Sequence, residues 1–234
     1  VYAMGRCLTN DAPPEGLWNS CAQGAGEYWP HPTVAPILVG FQISQVSLGT
    51  EHVLALTTDG KLASWGSNAY GQLGAQRISP WVVHPVLDPA GVGMRFISVA
   101  AGSSHSAILT TGNRVLTCGS LSHGQLGRPA VHRAGADPSI HGNPSEVDGT
   151  FGMMHDLNDD IFTYVAECCN MTLVLTNDGR VFSAGDSTQS TGVIGPVPGN
   201  FAVAFSPFLL DFEHPLQISV TSIAACQTAT AVCG

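Results

Sequence analysis

Charged side chains are scarce in this 234-residue sequence: they make up 11% of it, against about 25% in an average soluble domain. Lys61 is its single lysine, and the arginines are scattered singly along the chain. Because affinity for nucleic acid comes largely from clustered Lys and Arg, this distribution and the net charge of −9 speak against a DNA- or RNA-binding face. Two explanations of the scarcity stay open. Either another protein covers part of the surface, or the fold is sheet-rich with short, uncharged loops.

Several chemical signatures are missing as well. The sequence contains no Gly-Lys-Ser/Thr loop for nucleotide phosphates and no Gly-x-Ser-x-Gly nucleophile elbow. The adjacent Cys168 and Cys169 would suit zinc only with two further ligands at defined spacing, and the sequence does not offer them. We therefore predict no catalytic residue, no metal site and no cofactor.

The cysteine pattern bears on the cellular compartment. Seven cysteines, an odd number, follow no tight spacing, whereas a disulfide framework normally shows an even count in a short secreted chain. The stretch 216–234 carries no charge but contains several hydroxyl and amide side chains, so we expect no membrane span. These features predict free thiols in a reducing, intracellular compartment.

What the sequence does contain is a long internal repeat. Residues 46–74 read VSLGTEHVLALTTDGKLASWGSNAYGQLG, and residues 99–127 read VAAGSSHSAILTTGNRVLTCGSLSHGQLG, with no insertion or deletion between them. Six positions of the first unit recur 53 residues later. The recurring residues are Gly49, His52, Leu56, Gly66, Gly71 and Gly74, with the counterparts Gly102, His105, Leu109, Gly119, Gly124 and Gly127.

Weaker copies of the unit follow. Residues 165–195 form a third copy, in which Gly185 keeps its place and Met171 replaces the histidine. A fourth copy opens at residues 223–232, and VYAMG at residues 1–5 aligns with VLTCG of the second unit. We therefore expect one segment, residues 1–234, that starts and ends in mid-repeat.

Each unit predicts a β-hairpin. Short apolar or alternating runs flank TTDG in the first unit, TTGN in the second and TNDG in the third. Asp-Gly and Asn-Gly between such runs accept the positive φ of a tight turn. Units of roughly 50 to 70 residues with several short strands each are typical of propeller blades. The predicted fold class is all-β, with about four propeller blades' worth of chain.

GQLG, the upstream AAGSSHS and the hairpin LTTDGKLASWG resemble the repeats of the regulator of chromosome condensation family. The resemblance implies a seven-bladed β-propeller, of which this chain would supply an arc. A closed four-bladed ring, with residues 1–20 completing the blade begun at residue 220, is the alternative. The resemblance also assigns His52 and His105 to the blade scaffold rather than to a metal site, and Met171 takes the third place without being a substitute ligand.

The family's functions do not transfer automatically. Its name-giving member is an exchange factor for a small nuclear GTPase, which acts through a wedge-like insertion and carries a basic tail for chromatin. No basic tail is visible here, and no residue of this sequence can be matched to the wedge. Other relatives use the propeller for docking in ubiquitin ligases, ciliary proteins and kinases, and a fold does not choose among these roles.

One connection between units is unusually long. The second and third units are joined by 37 residues and the first and second by 24; the extra 13 fall in the polar stretch 128–162. Asp156, Asp159 and Asp160 crowd at its end. Because loops on a rigid scaffold often carry function, these aspartates are candidate partner contacts. The alternative is a solvated insertion without a role.

The sequence thus favours a non-enzymatic interaction scaffold within a larger protein or assembly, with other proteins as partners and a cytoplasmic or ciliary location. Two alternatives stay open: guanine-nucleotide exchange on a small GTPase, and the docking domain of a ubiquitin ligase.

Overall fold

The computed structural model describes residues 2–3, 35–36, 42–74, 84–86, 93–128, 147–157, 160–186, 203–209, 220–226 and 229–233. These ranges form antiparallel strands joined by turns, and they contain no helix. The all-β prediction is confirmed. Accordingly, no helix in these ranges has the length and apolar character needed to cross a membrane.

Three four-stranded sheets correspond to the three sequence units, and each is one blade. Blade 1 contains β3 (Ile43–Leu48), β4 (His52–Thr57), β5 (Leu62–Gly66) and β6 (His84–Val86). Blade 2 contains β7 (Phe96–Ala101), β8 (His105–Thr110), β9 (Val115–Ser120) and β10 (Val147–Met153). Blade 3 contains β11 (Phe162–Cys168), β12 (Met171–Thr176), β13 (Val181–Asp186) and β14 (Val203–Leu209).

Two further sheets have two strands each. The strands β1 (Tyr2–Ala3) and β2 (Ala35–Pro36) pair near the start of the chain, and β15 (Ser222–Cys226) pairs with β16 (Ala229–Cys233) near its end. The second pair falls in the fourth sequence unit.

The motif glycine of the third strand is required by close backbone approach. In each blade this glycine lies opposite the histidine position: His52 faces Gly66, His105 faces Gly119, and Met171 faces Gly185. Gly119 has a φ of 114°, and a Cβ there would lie 2.4 Å from the carbonyl oxygen of Ser104. Since side chains avoid both this φ and this contact, only glycine fits. The same geometry recurs although the histidine is lost in blade 3.

The two largest hydrophobic clusters of the described residues lie between neighbouring blades, and a smaller one lies within blade 1. Leu54 and Leu62 of blade 1 pack with Val99 and Ile108 of blade 2. The next cluster joins blades 2 and 3 in the same way through Leu109, Val115, Val165, Val174 and Phe182. A single blade cannot bury both of its faces, so each unit depends on its neighbour.

Part of the long connection 128–162 is structured. It contains β10, the fourth strand of blade 2, which pairs with β9. Arg128 and Asp148 are both buried, and they form an ion pair of 2.7 Å between Nη1 and Oδ2. Arg128 precedes residues 129–146 in the sequence and Asp148 follows them. Residues 129–146 themselves lie outside the described residues.

Candidate functional site

The histidine motif holds neighbouring blades together. His52 Nε2 of blade 1 lies 2.8 Å from Ser106 Oγ of blade 2, and this hydroxyl donates to the carbonyl of Gln72, at 2.7 Å. Because the hydroxyl proton is given to the carbonyl, the oxygen accepts from the imidazole, so we assign the ring proton of His52 to Nε2. The Ser106 hydroxyl therefore binds two groups of blade 1, the His52 ring and the Gln72 carbonyl. We call this arrangement of histidine, hydroxyl and glutamine carbonyl the clasp.

Blades 2 and 3 are joined by the same arrangement. His105 Nε2 lies 3.0 Å from Thr172 Oγ1, which donates to the carbonyl of Gln125 at 2.7 Å. Gln125 is the glutamine of the second GQLG, as Gln72 is that of the first. The repeated Gly-Gln-Leu-Gly turn thus supplies a carbonyl acceptor to the next blade along the chain.

The two histidines are neutral parts of this clasp. Burial lowers the pKa of His52 to about 4. Burial, together with the repulsion that a protonated His52 would exert, lowers the pKa of His105 to about 3. Their Nδ1 atoms have no hydrogen-bond partner among the residues that the structure describes. No group of three or more His, Cys, Asp or Glu side chains in the described ranges is arranged to hold a metal ion.

Thr172→Val tests the clasp. It keeps the side-chain shape but leaves the His105 Nε2 proton and the Gln125 carbonyl without partners, so we expect a loss of about 2 kcal/mol in the free energy of unfolding. Urea unfolding at pH 7 measures it. Thr163→Val, at an exposed position of β11, is the matched control with less than half the effect. Equal effects at the two positions would contradict the clasp.

The predicted aspartate contacts have different environments. Asp160 forms an ion pair with Arg180, at 2.6 Å between Oδ1 and Nη2, and its backbone carbonyl accepts from Asn113 Nδ2. Asp156 is exposed and has a φ of 54°. Asp159 lies outside the described residues. The partner role of these aspartates stays a prediction, and Asp160 already has a structural one.

The hairpin turns form a second set of contacts between blades. We call the edge that bears the turns 58–60, 111–113 and 177–179 the hairpin end. Here the Phe96 amide donates to the Gly60 carbonyl, the Phe162 amide to Asn113 Oδ1, and the Val220 amide to the Gly179 carbonyl. Each turn thus contacts the start of the next inner strand, and the hairpin end is continuous from blade 1 to β15.

Exposed apolar and basic side chains lie together at the hairpin end. Ile97 and Ile161 are 50% and 57% exposed, and the exposed Arg95 and Arg114 flank the 111–113 turn, where the Thr111 amide donates to the Arg95 carbonyl. Lys61 pairs with Asp59 and Arg180 with Asp160 and Asp178, whereas Arg95 and Arg114 have no ion pair with any described residue. We call Arg95, Ile97, Arg114 and Ile161 the hairpin-end patch. Exposed arginine beside apolar side chains is typical of protein–protein contact surfaces.

Known proteins resemble the chain over its repeats. Two profiles described as Regulator of chromosome condensation (RCC1) repeat match it, one at residues 43–72 and 96–125 and the other at residues 59–109. The mitochondrial RCC1 domain-containing protein RUG3 of Arabidopsis thaliana is 35% identical over 154 residues, which cover 62% of this chain and 33% of that protein. The probable E3 ubiquitin-protein ligase HERC6 of Homo sapiens is 34% identical over 158 residues, covering 67% of this chain and 14% of that protein. The chain thus spans about a third or less of the length of these relatives.

Solved propellers share the architecture. Human WBSCR16 superposes with a TM-score of 0.64 at 25% identity, over 86% of this chain and 48% of that one. Prp20p of Saccharomyces cerevisiae, which binds Gsp1p and histones, superposes with a TM-score of 0.63 at 22% identity, over 82% of this chain and 43% of that one. These likenesses establish the propeller fold.

Proposed function

This chain carries RCC1 repeats, and from that premise we propose that it is a non-enzymatic scaffold that binds partner proteins within a larger protein or assembly. The hairpin-end patch is the observation that supports the proposal most directly. It offers guanidinium groups that no described acid neutralises, next to exposed isoleucines. A protein surface that carries carboxylates among apolar side chains would complement it.

The polar motif residues support the same conclusion. His52, His105, Ser106 and Thr172 are buried, and their hydrogen bonds run between blades. Side chains committed in this way position the blades and are not available to a substrate. The histidine and hydroxyl side chains at these positions therefore have a structural role in the scaffold.

A native co-purification with the full-length protein tests the proposal. We expect stable retention of partner proteins, and a chain that purifies alone at the mass of one subunit would contradict the scaffold. In the Ile97→Ser/Ile161→Ser variant we expect at least a tenfold loss of the retained partner, because exposed apolar anchors carry much of the binding energy at interfaces. Leu48→Ser is the matched control: Leu48 is 73% exposed but lies at the opposite end of its strand, so retention should be unchanged.

The same experiment, run with and without excess GDP and GTP, separates the scaffold from an exchange factor. An exchange factor binds its GTPase most tightly when nucleotide is absent, so a small GTPase retained only then would overturn the non-enzymatic proposal. In that case Asp156, Asp159 and Asp160 would be the first residues to replace by alanine, with slower nucleotide release as the expected result. Retention of ubiquitin-ligase components in either condition would place the chain in the docking role that its HERC6 relative suggests.

A further inference from the structure

Glu167 is a buried acid that the blade repeat does not require. It occupies the position of Leu48 in blade 1 and of Ala101 in blade 2. Its side chain is 0% exposed, and neither carboxylate oxygen has a hydrogen-bond partner in the described part of the chain. A buried polar group without a partner is costly, so its presence at this position calls for a physical explanation.

Glu167 points into the interface between blades 2 and 3, which we call the joint. Its Oε1 lies 3.5 Å from His105 Nε2, whose proton is already given to Thr172. Its Oε2 would lie 3.0 Å from a Cβ placed on Gly102, so the joint has room for the carboxyl because this position is a glycine. Burial raises the pKa of Glu167 well above the usual range, and it outweighs the backbone of Gly102, which favours the ionised form. The closed joint therefore holds the neutral acid beside a neutral imidazole.

The titratable groups around Glu167 do not supply a cation. The histidines of β4 and β8 are buried and neutral, and the Cys118 thiol has a pKa raised by burial. The one buried guanidinium in the described ranges is bound to its own carboxylate. Among the described titratable side chains, His105 lies 3.5 Å from Glu167, Cys118 interacts with it electrostatically, and Cys169 lines the same cavity.

A cavity nevertheless lies beside this joint. The inner strands β3, β7, β11 and β15 surround a cavity of about 580 Å³, and Glu167 is among its lining residues. An ionised carboxylate could be solvated by turning from Gly102 and His105 toward this cavity. This movement of the carboxylate would disrupt the packing of β11 against blade 2.

We propose that the protonation state of Glu167 controls the packing between blades 2 and 3, and we call this arrangement the latch. The two blades stay packed while Glu167 is a neutral acid. Their packing loosens when Glu167 loses its proton to solvent. The loosened joint separates β11 from β8 and places a carboxylate at the wall of the cavity. The device is specific to this joint, because Ala101 takes the equivalent position between blades 1 and 2.

Urea unfolding of the 234-residue chain and of Glu167→Gln, from pH 5 to pH 8, tests the latch. In the unfolded chain Glu167 ionises near pH 4.5, while the closed joint retains the proton. The stability that the neutral acid contributes is therefore present below pH 4.5 and lost as pH rises through the folded value. The ratio of the unfolding constants of the parent chain and Glu167→Gln should rise about tenfold per pH unit in this window. A ratio that stays constant would overturn the latch, and the exposed Glu51→Gln is the control with a constant ratio.

Amide hydrogen exchange on the parent chain gives a second test, which holds even if Glu167→Gln does not fold. Protection of β8 and β11 should fall with rising pH relative to β4 and β5, which serve as the internal reference at each pH. Equal pH dependence in the two regions would overturn the proposal, because a general change in stability does not select one joint.

Discussion

Arg128→Met will lower the free energy of unfolding by about 3–5 kcal/mol, because it leaves a buried carboxylate without its partner. Asp148 and Arg128 have side chains that are 3% and 2% exposed. The guanidinium also donates to the carbonyls of Thr117 and Thr150, and so ties β10 to β9. Urea unfolding at pH 7 measures the loss.

Two further variants decide whether burial of the charge is the cause. Arg128→Met/Asp148→Leu removes both charges and should recover most of the lost stability, since apolar residues replace buried ion pairs at little cost. Arg180→Met removes an ion pair with Asp160 whose arginine is 42% exposed, and its effect should stay below about 1 kcal/mol. A loss at Arg128 no larger than the one at Arg180 would show that burial does not decide the energy of these pairs.

Lowering the pH from 6.5 to 4.5 should cost the parent chain about 2–3 kcal/mol more than a variant whose buried His105 has been removed. The pKa of His105 is about 3 in the folded chain, against 6.5 as its ordinary value. The unfolded chain therefore takes up a proton at this residue as pH falls below 6.5, and the folded chain does not. The stability that the neutral imidazole contributes is present above pH 6.5 and is lost as pH falls toward 3.

His105→Met/Thr172→Val is the suitable variant, because blade 3 itself carries Met171 at the histidine position. The valine removes the hydroxyl that the imidazole would have satisfied. Urea midpoints at pH 6.5, 5.5 and 4.5 give the comparison. Glu167 acts in the opposite sense over this range and lies 3.5 Å from His105, so the comparison is repeated with Glu167→Gln in both chains. Parallel pH profiles of the two chains would contradict the assignment of His105 as a buried neutral group.

Sequence patterns predicted the repeated features of this protein. The repeat of 53 residues predicted the blade. The Asp-Gly and Gly-Asn turns predicted the hairpins between the second and third strands of each blade. The family resemblance is confirmed by the two repeat profiles. The scaffold role of His52 and His105 followed from their recurrence, and the structure gives it a physical form, a hydrogen bond to the next blade.

Other features had no visible signal. Ser106 and Thr172 align with Val53 in the first blade, so the repeat did not mark them as hydrogen-bonding residues. The stretch 128–162 was interpreted as a polar connection, although it contains β10 and both partners of a buried ion pair. The aspartate prediction did not anticipate that Arg180 holds Asp160. The reducing, cytoplasmic or ciliary location also stays a prediction, and one relative is mitochondrial.

The sequence by itself determined the fold family and the unit of construction, because turns, glycines and apolar periods act over a few residues and recur whenever their motif recurs. The tertiary structure decided which polar groups are partnered. Residues 20 to 70 positions apart in the chain meet within a blade, as Arg128 meets Asp148, or between blades, as His105 meets Thr172. Glu167 follows the same rule: its position in the sequence corresponds to that of Leu48 or Ala101, and only the packing of blade 2 against blade 3 buries its carboxyl.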